Sequence, residues 1–238
     1  MQFFIDGKKV RYNPYNMKKD KKLGSGKEAD VYKIGNQAVK FYKPYCNKVR
    51  LSKKDVEKLR EIDTKRILLP NTALLDKKHQ IRGHKMDYIE DLGIDSFFNL
   101  DKESLKKELN YIRDDINKLS ENGVVINDIS EPSNTIYHNG IYLVDPGSYK
   151  LNKVSKNENI RTFGINIENI NMYLIYTVIE NYTLVHTKKV RKEQVAHDVN
   201  LEYLQRGRID MLDFLENSLE EETLSEYVDK KIEEAKKR

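Results

Sequence analysis

The chain has 238 residues, of which 38% are hydrophobic and 34% charged, and its formal net charge is +5. A chain of this length buries roughly 70% of the surface that its unfolded form exposes, which suffices for one large domain or two small lobes. The longest apolar run, residues 172–179, is far shorter than the ~20 residues of a membrane-spanning helix.

The single cysteine excludes an internal disulfide framework. No signal-peptide pattern is present, so a cytoplasmic protein without a membrane partner is expected. The lysine-rich runs are expected to be solvated surface, which argues against nucleic acid as a partner.

The first third of the chain predicts a small sheet that carries one helix. Residues 2–12 predict a hairpin with Asp6-Gly7 as its turn. A helix is expected over about residues 52–62, because Val56, Leu59 and Ile62 recur three positions apart. The other predicted strands are Lys21–Leu23, Ala29–Ile34, Gln37–Tyr42, Ile67–Leu75 and Ile81–Ile89.

The rest of the chain is mainly helical in its pattern. Asp101 is the expected N-cap of a long amphipathic helix that ends before Gly123. A short strand is predicted at Val124–Ile126, and a hairpin turns at Asn139-Gly140. The predicted later helices are Ile165–Tyr182, which is apolar on most sides, Ile209–Leu219 and Leu224–Lys236.

Two segments in the first third carry residue types suited to a bound nucleotide. In Leu23–Tyr32, LGSGKEADVY, two glycines flank Ser25 between predicted strands, and glycine lets backbone N–H groups approach an anion. Taken alone, this segment is a weak signal and fits a simple turn better. Lys40, on the next strand, must face away from Val39 and Phe41. It is therefore either a surface lysine or, if it faces a cleft under the glycine loop, a phosphate ligand.

A third segment carries hard oxygen ligands. INDISEPSN, residues 126–134, precedes a hairpin that ends in Asp145, Pro146 and Gly147. The side-chain oxygens of Asp128, Asn134 and Asp145 suit Mg²⁺, although each residue alone fits an ordinary turn.

Taken in order, these segments resemble the protein-kinase-like superfamily, in particular its small, atypical bacterial-type Ser/Thr kinase-like members. The family shows a glycine-rich loop, a strand lysine, a helix acid, a hinge, then H-R-D…N and D-F-G. The matching stretches are LGSGKEADVY, AVK, HKMDYI, INDISEPSN and VDPG, over about residues 20–150. The resemblance implies an α+β, two-lobed fold. Residues 1–88 would form a small sheet lobe, and residues 89–238 a reduced, mainly helical lobe.

The resemblance also implies roles for the matching residues toward ATP and Mg²⁺. The glycine loop, Leu23, Gly24, Ser25 and Gly26, would cover the phosphates, and Lys40 would pair with the α- and β-phosphates. Asp128 would orient the acceptor hydroxyl or accept its proton. Asn134 and Asp145 would hold Mg²⁺.

The adenine site follows from the same resemblance. Val31 and Ala38 would enclose the base together with Ile136. Met86 would be the gatekeeper, and the backbone of Asp87 and Ile89 would form the hinge that reads the adenine edge.

The resemblance requires an acidic helix partner for Lys40. In the family, apolar residues follow that acid four and seven positions later. Counting from Asp55 reaches Leu59 and Ile62. Counting from Glu57 reaches polar residues instead. Asp55 is therefore predicted as the partner, although its side chain is one methylene shorter than that of glutamate.

Four departures from the family pattern bear on the function. Asn127 stands in place of the H-R-D arginine, and Pro146 in place of the D-F-G phenylalanine. Six positions, where the family usually has five, separate Asp128 from Asn134. Ser130 stands where Ser/Thr kinases carry lysine, and no A-P-E triplet is present. These departures bear more on the acceptor than on phosphoryl transfer itself.

The expected function is therefore ATP- and Mg²⁺-dependent transfer of a phosphoryl group to a hydroxyl, with protein Ser/Thr as the leading acceptor. Two alternatives remain open: a small-molecule kinase of the aminoglycoside-kinase type, and a pseudokinase that binds nucleotide or a partner without catalysis. His79 and His84 have no third ligand nearby in the sequence, so a metal role is not expected for them.

Overall fold

The computed structural model describes residues 2–5, 8–11, 22–43, 51–127, 129, 132–145, 149–205, 211–218 and 223–237. The expectations for Asp6-Gly7, Asp128, Pro146 and Gly147 lie outside these residues. The structure is α+β, with an antiparallel sheet and helices. The α+β class expected from the sequence is thus confirmed.

The chain divides into two compact units. The first, here called the sheet unit, comprises Met1–Asp63, Leu68–Ile89 and Asp145–Tyr149. The second, the helical unit, comprises Thr64–Ile67, Glu90–Val144 and Lys150–Arg238.

Among the residues that the structure describes, seven strands form the sheet of this unit, and every neighbouring pair is antiparallel. Their order in the sheet is β2-β1-β6-β7-β5-β4-β3. The strands are β1 (Gln2–Ile5), β2 (Lys8–Arg11), β3 (Lys22–Ser25), β4 (Ala29–Ile34), β5 (Gln37–Tyr42), β6 (Thr72–Leu75) and β7 (Ile81–Asp87). The predicted strands at 29–34 and 37–42 are confirmed, and Gly35, at φ +61°, supplies the turn between them.

Alternating apolar residues give one face of this sheet a core. Tyr32, Val39, Phe41 and Leu74 pack there, and the Tyr32 and Phe41 rings meet edge to face with centroids 5.9 Å apart. Gly83, on β7, lies in register with Phe41. A Cβ atom at Gly83 would stand 2.0 Å from the carbonyl oxygen of Lys40, so only glycine permits this close approach of the strands.

The described part of the sheet unit contains one helix, α1 (Lys53–Arg60), which buries Val56 and Leu59. Ser52 caps it within the predicted range of 52–62. The predicted strand Ile67–Leu75 is wrong in its first half, because regular pairing covers only Thr72–Leu75. Ile67 instead makes a single parallel bridge to Leu143 in the helical unit.

The helical unit begins with α2 (Asp95–Phe98) and α3 (Lys102–Glu121). The side chain of Asp101 accepts from the Ser104 N–H at 2.8 Å, which confirms the predicted cap, and Gly123 follows the helix at φ +69°. Short strands come next: β8 (Val124–Val125), β9 (Thr135–Tyr137), β10 (Ile141–Leu143) and β11 (Lys150–Leu151). β9 pairs with β10, as the predicted hairpin requires, and β11 pairs with β8.

The predicted buried helix is longer than expected and changes its geometry along its length. It begins as α4 (Lys156–Tyr173), passes through a π-helical segment (Leu174–Ile179) and ends as α5 (Glu180–His186). Then follow α6 (Lys192–Gln205), which the sequence analysis did not predict, α7 (Met211–Ser218) and α8 (Leu224–Lys236). Among the residues that the structure describes, no helix is long and apolar enough to span a membrane.

A buried carboxylate holds residues 65–67 in the helical unit. Asp115 on α3 is fully buried and accepts the backbone N–H groups of Lys65, Arg66 and Ile67 at 2.6 to 2.9 Å. Burial raises the pKa of Asp115, although the three N–H donors act in the opposite direction. Arg66 also forms a fork with the buried Glu108, whose Oε1 accepts from Nη2 at 2.6 Å. These contacts fix a segment that has no regular secondary structure.

Candidate functional site

A partly buried ion pair lies in the sheet unit. Lys40, on β5, is only 7% exposed, and its Nζ donates to the Oδ1 atom of Asp145. The side chain of Asp145 keeps 35% of its surface exposed. The sequence analysis placed Lys40 either on the surface or under the glycine loop. Val39 and Phe41 do lie in the core, yet Lys40 on the opposite face is buried as well, so it is not a surface lysine.

Asp145 occupies a backbone conformation that L-residues rarely adopt. Its φ is +68°, in the left-handed region, where aspartate is tolerated better than most side chains. Such conformations cost free energy and cluster at functional sites. The carboxylate is a hard oxygen donor that remains partly reachable, so it suits a magnesium ion.

His84 is a member of this site that the sequence analysis missed. It lies on β7 in register with Lys40 and is fully buried. Its Nδ1 atom is 3.0 Å from the hydroxyl of Tyr42, whereas its Nε2 atom has no hydrogen-bond partner among the described residues. Pairing of the two predicted strands would have indicated His84. Residues opposite each other in an antiparallel pair, here Lys40 and His84, share a face of the sheet.

The surroundings keep His84 neutral. Burial, and then the positive charge of Lys40, lower the pKa of His84 from 6.5 to about 3, while Asp145 acts in the opposite direction. A buried imidazole without charge retains one donor and one acceptor nitrogen. The site therefore presents an ammonium group, a carboxylate and a neutral imidazole.

The glycine loop is held by side chains at its base. The hydroxyl of Ser25 donates to Asp30 at 2.5 Å, and Lys22 pairs with the same carboxylate at 2.9 Å. Burial acts to raise the pKa of Asp30, but the bonds from Ser25 and Lys22 outweigh it, so that the pKa is lowered. Lys43 donates to the carbonyl of Gly26 at 2.6 Å.

Neither loop glycine is required by the packing or by the backbone conformation. A Cβ atom at Gly24 or Gly26 would meet no atom within 4 Å, and neither residue has a positive φ. The turn by itself would therefore accept alanine at both positions. The N–H of Gly26 donates to the Ala29 carbonyl at 2.9 Å. The exposed Leu23 and Ser25 complete the loop.

The predicted adenine residues of the sheet unit share one face of the sheet with Lys40. Val31 lies opposite Lys40 in the register, and Ala38 opposite Met86. Met86 is buried, whereas Val31 and Ala38 are half-buried. Of the predicted hinge residues, Asp87 is exposed and Ile89 half-buried.

The predicted pair of Lys40 and Asp55 is not formed in the structure. Asp55 lies in the first turn of α1, where its carboxylate accepts the Ser52 N–H at 2.9 Å and its own N–H donates to the Ser52 hydroxyl at 3.1 Å. This reciprocal arrangement is a capping box. The short side chain of Asp55 reaches the Ser52 N–H and so caps its own helix. Lys40 is paired with Asp145 instead. Glu57, the rejected alternative, is exposed and pairs with Lys53 on its own helix.

Two predicted site residues, Asn134 and Ile136, lie in the described part of the helical unit, as does Asn127, which precedes Asp128 in the sequence. Asn134 ends a short 3₁₀ turn, and its carbonyl accepts the Val144 N–H at 2.8 Å. Ile136 is half-buried on β9. The side chain of Asn127 contacts the Val125 carbonyl at 3.5 Å. Asp128 itself lies outside the described residues, so its catalytic role stays a prediction.

Two asparagines of α4 fix the chain just before Asp128, and the sequence analysis missed them. Asn166 is fully buried; its Oδ1 accepts the Ile126 N–H at 2.8 Å, and its Nδ2 donates to the Val124 carbonyl at 2.8 Å. Asn169 donates to the Ile126 carbonyl at 2.7 Å. Both polar groups of Ile126 are therefore satisfied by side chains. The available signal was the spacing of Asn166 and Asn169, which are three positions apart and so lie on one side of the predicted helix.

A scan against protein-family models finds no match to this chain, and a search of curated proteins finds no significantly similar sequence.

Proposed function

We propose that this protein is an ATP- and Mg²⁺-dependent phosphotransferase with a two-lobed, protein-kinase-like fold that transfers the γ-phosphoryl group to a hydroxyl, most simply in the cytoplasm. The expected acceptor is a protein serine or threonine. The observation that carries the proposal is the partly buried ion pair between Lys40 and Asp145, which joins residues 105 positions apart in the chain.

A partly buried ion pair of this kind favours function over stability. Burying the Lys40 ammonium removes its charge from water, and a carboxylate that stays partly exposed offsets only part of that cost, so the pair contributes little to folding on balance. The proposed roles use both partners: Lys40 would contact the α- and β-phosphates, and Asp145 would hold Mg²⁺ together with Asn134. When bound, that ion would neutralise phosphate oxygens.

The glycine loop supports the same proposal. Neither packing nor φ requires Gly24 or Gly26, and glycine at both positions leaves room for a ligand to approach the backbone closely. Triphosphate oxygens over the loop would meet Lys40 on the strand that follows. Asp128 would take or orient the acceptor proton, a contribution typically worth ~10²–10⁴-fold in rate.

Nucleotide binding is tested by thermal unfolding with ATP and Mg²⁺. A ligand at 100 times its Kd adds about 2.7 kcal/mol of stability, so the parent protein should show a clear rise in Tm. Lys40→Met should weaken this shift, whereas Lys54→Met, at an exposed position on α1, should keep it. The absence of a shift in the parent at millimolar ATP would overturn the proposal.

Phosphoryl transfer is tested with labelled ATP and separates an enzyme from a pseudokinase. Asp128→Asn should keep the ATP-induced rise in Tm and lower transfer by ~10²–10⁴-fold. Asp145→Asn should lose both, since the ion that counters the triphosphate charge loses a ligand. A parent that binds ATP but transfers phosphate to no protein, peptide or small alcohol would be a pseudokinase.

A second candidate acceptor, a small molecule, is favoured by one observation. The helical unit contains a cavity bordered by Asn127 and Ile129, the chain neighbours of Asp128. A cavity fits a compact ligand better than an extended peptide, which usually binds along a groove or a sheet edge.

A further inference from the structure

One polar atom of the candidate site is buried and has no hydrogen-bond partner in the described part of the chain. It is Nε2 of His84, a residue with no exposed surface. Buried polar groups in native proteins are almost always hydrogen-bonded, and an unsatisfied one lowers the free energy of unfolding. A partner that approaches Nε2 in another state of the site would remove this cost.

Two contacts orient the ring of His84. Its Nδ1 atom lies 3.0 Å from the Tyr42 hydroxyl, and the two rings meet edge to face with centroids 5.8 Å apart. When Nδ1 carries the hydrogen and donates it to the Tyr42 oxygen, Nε2 keeps a lone pair and is an acceptor. The ammonium group of Lys40 on the neighbouring strand favours this tautomer, because a cation attracts a lone pair and repels the hydrogen of an N–H group.

Lys40 has open donor positions on the same face of the sheet. Lys40 and His84 lie opposite each other in the pairing of β5 with β7, where Cβ atoms are typically about 4.5–5.5 Å apart. An ammonium group has three donors, and among the described residues its acceptor is Oδ1 of Asp145. Both Lys40 and His84 are buried. A cation with open donor positions and an acceptor without a partner are therefore neighbours across this strand pair.

The proposed function gives Asp145 two tasks. Its carboxylate is the partner of Lys40, and it is also assigned to Mg²⁺. The acidic side chains of α1 do not replace it, because Asp55 caps its own helix and Glu57 pairs with Lys53. A neutral acceptor beside Lys40 would hold the ammonium group by a charge-assisted hydrogen bond and would leave its positive charge available to the phosphates.

We infer that His84 is the positioning residue of Lys40: its Nε2 atom accepts a hydrogen bond from the Lys40 ammonium group when that group turns from Asp145 toward the phosphates of a bound nucleotide. The inference rests on the proposed function. His84 does not touch the nucleotide itself, because none of its surface is exposed. Complete burial, and then the charge of Lys40, keep the imidazole neutral, so no proton is transferred.

The test is a double-mutant cycle on nucleotide affinity, measured by calorimetry with ATP and Mg²⁺ on the full chain. His84→Leu approximately keeps the side-chain volume and removes the acceptor, so it should weaken ATP binding roughly ten-fold. Lys40→Met should weaken it as well. Because His84 acts through Lys40, His84→Leu should have no further effect in the Lys40→Met background. A purely structural role of His84 would weaken binding equally in both backgrounds.

Two further variants separate the hydrogen bond from the packing. His84→Gln retains a side-chain acceptor and should bind ATP within about three-fold of the parent. Tyr42→Phe keeps the ring and removes the oxygen that orients Nδ1. It should weaken ATP binding in the same direction as His84→Leu but by less. Because only a hydroxyl is lost, this variant keeps the inference testable if His84→Leu does not fold.

Leu74→Val is the matched control for a loss of stability without a change at the site. Leu74 is fully buried in the core on the other face of the same sheet, with Val39 and Phe41. Removing a methylene group there destabilises the fold but leaves the face of Lys40 intact. This variant should bind ATP like the parent.

Three outcomes would overturn the inference. One is equal affinity for ATP in the parent and in His84→Leu. Another is an equal loss in both backgrounds, which would assign the effect to packing or to a direct contact with phosphate. The third is unchanged affinity in Tyr42→Phe when His84→Leu does not fold. A parent that binds no ATP would refute the proposed function and the inference with it, whereas an additive cycle in a parent that binds ATP would refute the inference alone.

Discussion

The neutral, buried state of His84 predicts how stability depends on pH. In the folded protein the pKa of His84 is lowered to about 3, whereas an unfolded chain restores the ordinary 6.5. Between these two values only the unfolded state binds the proton. The free energy of unfolding that depends on His84 is therefore fully present above pH 6.5 and is lost progressively as the pH falls toward 3.

The magnitude follows from the size of the shift. Each pH unit below 6.5 costs about 1.4 kcal/mol as long as the folded protein takes up no proton. At pH 5.0 the loss is about 2 kcal/mol, a large fraction of the 5–15 kcal/mol that is typical of a domain. Asp30 and Asp76, whose carboxyl pKa values are lowered from 3.8, stay ionised between pH 7.5 and pH 5.0. They therefore do not contribute to the loss of stability in this pH interval.

The assay is urea unfolding at pH 7.5 and pH 5.0 for the parent and for His84→Gln. Glutamine is close in size, does not titrate and can bond to the Tyr42 hydroxyl. The parent should lose about 2 kcal/mol more than the variant between the two pH values. His197→Gln, at an exposed position on α6, should behave like the parent. Equal losses in the parent and in His84→Gln would show that the folded protein protonates His84, and the reasoning would be wrong.

Three further predictions concern stability and are read by urea or thermal unfolding. Asp115→Ala leaves three backbone N–H groups without an acceptor and should cost about 3–5 kcal/mol, while the exposed Asp114→Ala should change little. Ser52→Ala and Asp55→Ala each break the capping box and should each cost about 1 kcal/mol, against about 0.5 kcal/mol or less for Glu57→Ala. Loss of ATP binding in Asp55→Ala at unchanged stability would contradict the capping role. Gly83→Ala forces a Cβ against the Lys40 carbonyl and should cost about 1–3 kcal/mol, whereas Gly24→Ala should be tolerated by the fold. Equal Tm values for these two variants would argue against the close strand approach.

Much of the secondary structure was predictable, because its signals are local. The cap at Asp101, the glycine after α3 and the apolar spacing between them predicted a helix that the structure contains. The bounds of α8 agree with the prediction at both ends, and Thr223 forms a capping box there. Hairpin turns such as Gly35-Asn36 are encoded in two residues, so β4 and β5 were predictable as well.

Other elements were missed or placed wrongly from the sequence. α6 was missed, although Val195, Ala196, Val199 and Tyr203 are buried on it. The predicted strand from Ile67 failed because Ile67 is held by Asp115, a residue 48 positions away, and not by a neighbouring strand. An apolar run indicates burial, but it does not specify the partner that provides that burial.

The residues of the candidate site also fall into two groups, those that the sequence indicated and those that only the structure placed. The sequence alone brought Lys40, Asp128, Asn134 and Asp145 into consideration, because their residue types and their order along the chain are readable. Only the tertiary structure decided which acid pairs with Lys40, since Asp55 can satisfy its helix cap locally whereas Asp145 meets Lys40 through long-range folding. The same holds for His84, whose neutral state depends on complete burial beside a cation. Caps, turns and periodicity arise from hydrogen bonds between near neighbours, whereas burial and ion pairing arise from contacts between residues far apart in the chain, and a single sequence does not encode those contacts in any local pattern.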